Sequence, residues 1–152
     1  MNLNIFGSHV LLSLADQNLV ENAIETSELL TSGEIRVHVD KNCDIPILDR
    51  AAEVFDLLEM NKTELRNGVL IYLNKREKQF AIIGDLGINQ VVPEGFWAET
   101  AENMAIYFKN GAFAKGIIEG VESAGKKLQH FFPRNANDTN ELSNKVSFGK
   151  NK

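Results

Sequence analysis

The chain is expected to fold as a three-layer α/β/α sandwich, with a mixed, mostly buried central sheet of three to four strands and four main helices. Three observations predict this. Two apolar runs, 68–73 and 79–84, flank a charged Asn74-Lys75-Arg76-Glu77 connection and read as a β-hairpin whose strands are largely buried. An alternating run at 34–39 is separated from that hairpin by a helical stripe, which implies a parallel strand pair joined by a crossover. Two longer helical stripes follow the hairpin.

Taken in order, Ser13-Leu14-Ala15-Asp16 resembles a capping box with Asp at its fourth position. Leu19, Val20, Ala23, Ile24 and Leu30 then form one stripe, and Gly33 suits the left-handed position that closes a helix. In 34–39, Ile35, Val37 and Val39 point one way and Glu34, Arg36 and His38 the other, a half-buried strand with His38 on its solvated side. After the polar loop 40–44, Pro46 suits the first turn of a second helix with Leu48, Ala51, Ala52, Phe55 and Leu58 on its buried face. Beyond the hairpin, 88–92 reads as an edge strand or a segment crossing the sheet. Pro93 opens a third helix carrying Phe96, Trp97, Thr100, Ala101, Met104 and Phe108 on one face, and Asn110-Gly111 stops it. A fourth helix spans 112–131, where Gly116 and Gly120 allow close approach to a neighbour. Pro133 ends it. The expectation is one domain, 1–133, followed by a polar, mobile tail, 134–152, on which Val146 and Phe148 dock weakly.

At 152 residues, with 43% hydrophobic and 24% charged, the chain can bury a real core. Its net charge of −5 comes without a basic stripe, which argues against a nucleic-acid partner. The single Cys43 excludes an internal disulfide, and the scattered His9, His38 and His130 form no zinc framework. The first residues lack a basic region and a small-residue cleavage site, and no segment approaches the ~20 apolar residues that span a bilayer. A soluble, cytoplasmic monomer without membrane insertion is expected. The signatures of serine hydrolases, P-loop enzymes, zinc peptidases and dinucleotide binders are all missing.

Oxygen donors instead gather at the two ends of the expected sheet. With the hairpin loop centred on 74–78, Gly68 lies opposite Gly84, and Asn67 faces Asp85 across the mouth beside Arg66. The parallel crossover brings Glu34 to the same end, and Glu94 lies on the segment leaving it. Carboxylates with an amide oxygen are hard donors that suit Ca²⁺ or Mg²⁺. The same residues also serve as turn chemistry and as an Arg66–Asp85 ion pair. The competing site is Asp40 with Asp44 and Asp49 at the carboxyl end of the first strand, where open α/β sheets bind ligands. Placement near a helix start accounts equally well for Asp44 and Asp49. Both ends stay open at this stage.

At Thr31-Ser32-Gly33-Glu34-Ile35-Arg36-Val37, Arg66-Asn67-Gly68-Val69-Leu70-Ile71-Tyr72 and Ala81-Ile82-Ile83-Gly84-Asp85, the chain resembles the TPM domain family. Pro93 with Phe96-Trp97, Gly111-Ala112-Phe113 and Phe131-Phe132-Pro133 continue the match across about residues 10–133. It is most similar to small bacterial members without signal or anchor segments. The resemblance implies an α/β/α fold with a mixed sheet and divalent cations, calcium especially, as ligands. It matches Glu34, Asn67 and the Gly84-Asp85 turn to family motif positions, although many longer relatives carry an aromatic residue where this chain has Asp85. Plant and cyanobacterial relatives are associated with photosystem repair, and one group is described as an acid phosphatase. The implied function is a soluble Ca²⁺- or Mg²⁺-binding domain. The alternatives are a metal-assisted phosphatase acting on phosphomonoesters, with Arg66 stabilising phosphoryl charge, and a protein-interaction module using the third and fourth helices. Whether the chain is an enzyme is left open.

Overall fold

The computed structural model describes residues 12–135 and 138–149. Ser13 Oγ accepts the Asp16 N–H at 3.1 Å and starts α1 (Leu14–Glu28), the capping bond expected from the sequence. The chain continues through β1 (Glu34–Asp40), α2 (Ile47–Leu57), a 3-10 turn (Met60–Lys62), β2 (Gly68–Asn74) and β3 (Gln79–Gly84). A short α3 (Leu86–Asn89), then α4 (Ala98–Lys109), α5 (Phe113–Phe131) and a two-residue β4 (Ser147–Phe148) complete it.

The strand order is β3-β2-β1-β4, with β1 parallel to both β2 and β4 and β2 antiparallel to β3. Strand parity then divides the core. Ile35, Val37, Val39, Ile71 and Leu73 meet Val20 and Ile24 of α1, Met104 of α4, and Ile117 and Val121 of α5. Leu70, Tyr72 and Ala81 meet Ala51, Val54 and Phe55 of α2 on the other face. This is the expected sandwich. Gly116 and Gly120 let α5 lie against Phe108 and Met104 of α4; a Cβ at Gly120 would stand only 2.6 Å from Met104 Sδ.

Several local expectations are corrected. β1 is buried on both faces, because α2 and the segment before β4 cover the side that carries Glu34 and His38. Leu19 and Leu48, assigned to buried stripes, are 54% and 64% exposed. Gly33 has no left-handed backbone; its role is close packing, with Leu128 Cδ1 at 2.9 Å from a Cβ placed there. Residues 88–92 form no strand, because the Asp85 carboxylate caps Leu86 N–H and turns the chain into α3. Trp97 and Pro93 precede the third long helix, which begins at Ala98. The hairpin strands are where expected, but their register is shifted by one residue. Asn74 pairs with Gln79 and Val69 with Gly84, leaving the loop 75–78. Asp85 therefore stands opposite Gly68, where its N–H donates to the Gly68 carbonyl at 3.0 Å. The stretch after Pro133, expected as a tail, supplies β4, buries Val146 and sets Leu142 against the α2-side core. No helix among the described residues is long and apolar enough to cross a membrane.

Candidate functional site

At the hairpin mouth, Arg66 has a left-handed backbone (φ 51°) that turns its side chain back toward the end of β3. Its Nε donates to Asp85 Oδ2 at 2.7 Å and its Nη2 to Oδ1 at 2.8 Å, a two-point grip. Oδ1 also accepts the Leu86 N–H at 2.8 Å. The Asp85 side chain is 5% exposed and that of Arg66 42%, so a buried carboxylate is neutralised from the solvent side. Hydrogen bonding to Asp85 raises the Arg66 guanidinium further above its ordinary range. Gly87 fixes the approach of these two segments: its N–H reaches the Arg66 carbonyl at 2.8 Å, and a Cβ there would collide with the Leu65 and Arg66 carbonyls.

The other three residues predicted for this site are nearby in the chain topology but do not join Asp85. The one-residue shift in register sends Asn67 and Asp85 to opposite sides of the sheet. Asn67 Nδ2 donates to Ser32 Oγ at 3.3 Å, and its buried Oδ1 has no partner among the described residues. Glu34 faces the α2 side, where its carboxylate accepts the N–H groups of Glu141 and Leu142, both at 3.0 Å. Burial raises the Glu34 carboxyl above its ordinary range. Glu94 is exposed. Among the described residues no group of three or more His, Cys, Asp or Glu is placed to hold a metal ion.

A neighbouring carboxyl escaped the sequence reading. Burial lifts Glu28 from its ordinary 4.5 to about 8, against the lowering effect of the Ile35 N–H that donates to its Oε2 at 2.8 Å. The signal was present: Glu28 continues the stripe of Val20 and Ile24 at helical spacing and so had to face inward.

At the opposite end, Asp40 organises a buried polar cluster. Arg50 Nε reaches its Oδ2 at 2.8 Å, the Tyr72 hydroxyl donates to the same oxygen at 2.6 Å, and His38 Nε2 lies 2.8 Å from Oδ1. Burial pushes the Asp40 carboxyl upward, but these hydrogen bonds outweigh it and hold the group far below the usual carboxylate range. Burial and the Asp40 charge together push the Tyr72 hydroxyl well above its ordinary value. His38, expected in solvent, is 5% exposed, and its Nδ1 meets Ser147 Oγ at 2.8 Å. Ser147, His38 and Asp40 thus form a chain of hydrogen bonds. It resembles a nucleophile relay in composition, yet Asp40 shares its charge with Arg50, and Ser147 pairs with His38 in the strand ladder. The contact ties β4 to β1. Asp44 and Asp49 are exposed and lie outside this cluster.

The family model described as the TPM domain matches residues 8–127. The NMR structure of the BA42 protein from the psychrophilic bacterium Bizionia argentinensis is 43% identical, covering 91% of this chain and 95% of that one with a TM-score of 0.86. The N-terminal domain of a protein from P. gingivalis is 20% identical, covering 81% of this chain and 80% of that one with a TM-score of 0.67. The N-terminal domain of the cg2496 protein from Corynebacterium glutamicum is 12% identical, covering 89% and 79%, with a TM-score of 0.61. These last two share the fold. A search of curated proteins finds no match.

Proposed function

The chain belongs to the TPM domain family, and from that premise we propose that it is a binding domain for a hard divalent cation, Ca²⁺ or Mg²⁺, at the hairpin mouth. The observation that supports this reading is the Arg66–Asp85 pair. Asp85 is a buried carboxylate whose position calls for a positive charge, and that charge comes from an arginine whose side chain is 42% exposed. A small cation that keeps most of its water can compete for the same two oxygens.

The four residues expected to share the ion do not converge as a ready cage. Asn67 turns to the other face, Glu34 is committed to two backbone N–H groups, and Glu94 stands in solvent. One carboxylate with water and backbone oxygens belongs to the weak, millimolar class of calcium site.

Competition with Arg66 supplies the test. In a Ca²⁺ titration followed by amide NMR, Arg66→Ala frees Asp85 and is expected to tighten binding at the mouth, while Asp85→Asn removes it. Shifts confined to residues 40–44, unchanged by both substitutions, would overturn the mouth assignment and favour Asp40 with Asp44.

A further inference from the structure

On the α4–α5 side of the sheet, a cleft of about 240 Å³ opens beside the carboxyl end of β2. β1 and β2 are parallel and both end here, the end at which open α/β sheets present ligands. Leu73, Phe108 and Phe113 provide apolar lining, with the two rings 5.5 Å apart. Lys75, Lys78 and Lys109 also line it. Lys75 Nζ lies 5.4 Å from the centre of the Phe113 ring, and burial lowers its ammonium pKa even though Asp16 nearby favours the charge.

The start of α5 reinforces this charge. Gly111 and Phe113 border the cleft, and the Ala112 N-cap has no side-chain hydrogen bond to the first turn of this long helix. A helix N-terminus carries partial positive charge and N–H donors. In a chain of net charge −5, this is a local concentration of cations and donors around an aromatic surface.

We propose that this cleft binds a small organic anion, with its carboxylate or phosphate-type head among Lys75, Lys78 and Lys109 and its apolar body against Phe108 and Phe113. The volume suits a compact ligand, since drug-sized ligands occupy about 300–1,000 Å³. The apolar lining distinguishes the site from a purely ionic patch: a head group alone gains only the lysines, whereas a ring also gains the phenylalanines.

The test is an amide NMR titration of the full chain, without divalent cations, using phenylphosphonate, benzoate, inorganic phosphate and neutral benzyl alcohol in separate arms. The expected result is saturable shifts around 73–79 and 108–113 with either aromatic anion, and much weaker binding of inorganic phosphate and benzyl alcohol. A stronger response to phenylphosphonate identifies a phosphate-type head, and one to benzoate a carboxylate. Replacing the exposed pair, Lys78→Glu with Lys109→Glu, should weaken binding by about tenfold or more, the loss of charge-assisted hydrogen bonds, with an unchanged far-UV spectrum. Shifts scattered over surface lysines, equal responses to phosphate and phenylphosphonate, or undiminished affinity in the double variant would each overturn the proposal. Because no divalent cation is present, its failure leaves the hairpin-mouth reading untouched.

Discussion

Glu28 Oε2 accepts the Ile35 N–H at 2.8 Å, so a carboxyl from the end of α1 fastens the start of β1 from inside the protein. Burial is the main reason its pKa stands at about 8, and the nearby Glu34 charge adds to it. The folded state therefore holds a proton that the unfolded chain releases above 4.5, and stability falls as pH rises from there to about 8. Glu28→Gln keeps an acceptor oxygen and removes the ionisation. It should raise stability on the alkaline side of this window by on the order of 2–4 kcal/mol and have little effect on the acid side. Urea denaturation at both ends of the window checks this; parallel pH dependences for the two proteins would refute it.

Asp40 works in the opposite direction. Its pKa is depressed in the folded state, so its contribution is complete above the ordinary 3.8 and is lost as pH falls through the folded value. Asp40→Asn removes the charge that Arg50, Tyr72 and His38 share. The expected loss at neutral pH is about 3–5 kcal/mol, the range for breaking a buried ion pair by removing one partner. The deficit should shrink in acid, which denaturation curves at neutral pH and below 3.8 would reveal.

The stretch before β4 is held by side chains far away in sequence. Glu34 accepts the Glu141 and Leu142 N–H groups, and Glu21 Oε2 accepts the Val146 N–H at 3.0 Å. A chain ended at Asn135 loses those donors together with the segment that covers Glu34, and it opens the core surface on which Leu142 and Val146 pack. Destabilisation of about 2–5 kcal/mol is expected from the lost hydrogen bonds and apolar burial. Glu34→Gln should cost stability in the full chain and have little effect in the shortened one, where the carboxylate is open to water. Denaturation of the four proteins as a cycle gives the coupling, and additive effects would rule out the proposed fastening.

The hairpin shows how far the sequence could be read. Its strands were plain because both are continuous apolar runs bounded by charged residues. Its register was not, because a five-residue and a four-residue loop are equally compatible with Asn74-Lys75-Arg76-Glu77. That single residue moved Asn67 and Asp85 to different faces and dismantled the expected donor set.

β1 lies where expected, but its burial on both faces escaped notice for a different reason. Glu34, Arg36 and His38 look like a solvated face, and Asp40 like the start of a polar loop, when their neighbours in sequence are considered alone. Their partners Leu142 and Ser147 lie more than a hundred residues away, and Arg50 and Tyr72 reach Asp40 from two other elements. Polar residues buried by distant partners leave no periodic signal. Glu28 differs: its position on the α1 stripe does carry a periodic signal, although it was passed over.

The place of β4 beside β1 also matters while the chain is being made. β1 is translated early, but the strand that covers one of its edges emerges only with Ser147 and Phe148. Until then the ribosome carries a nascent sheet with β1 open on that side, a row of backbone groups able to recruit a foreign strand. Product released short of Phe148 should therefore be the form most in need of chaperones.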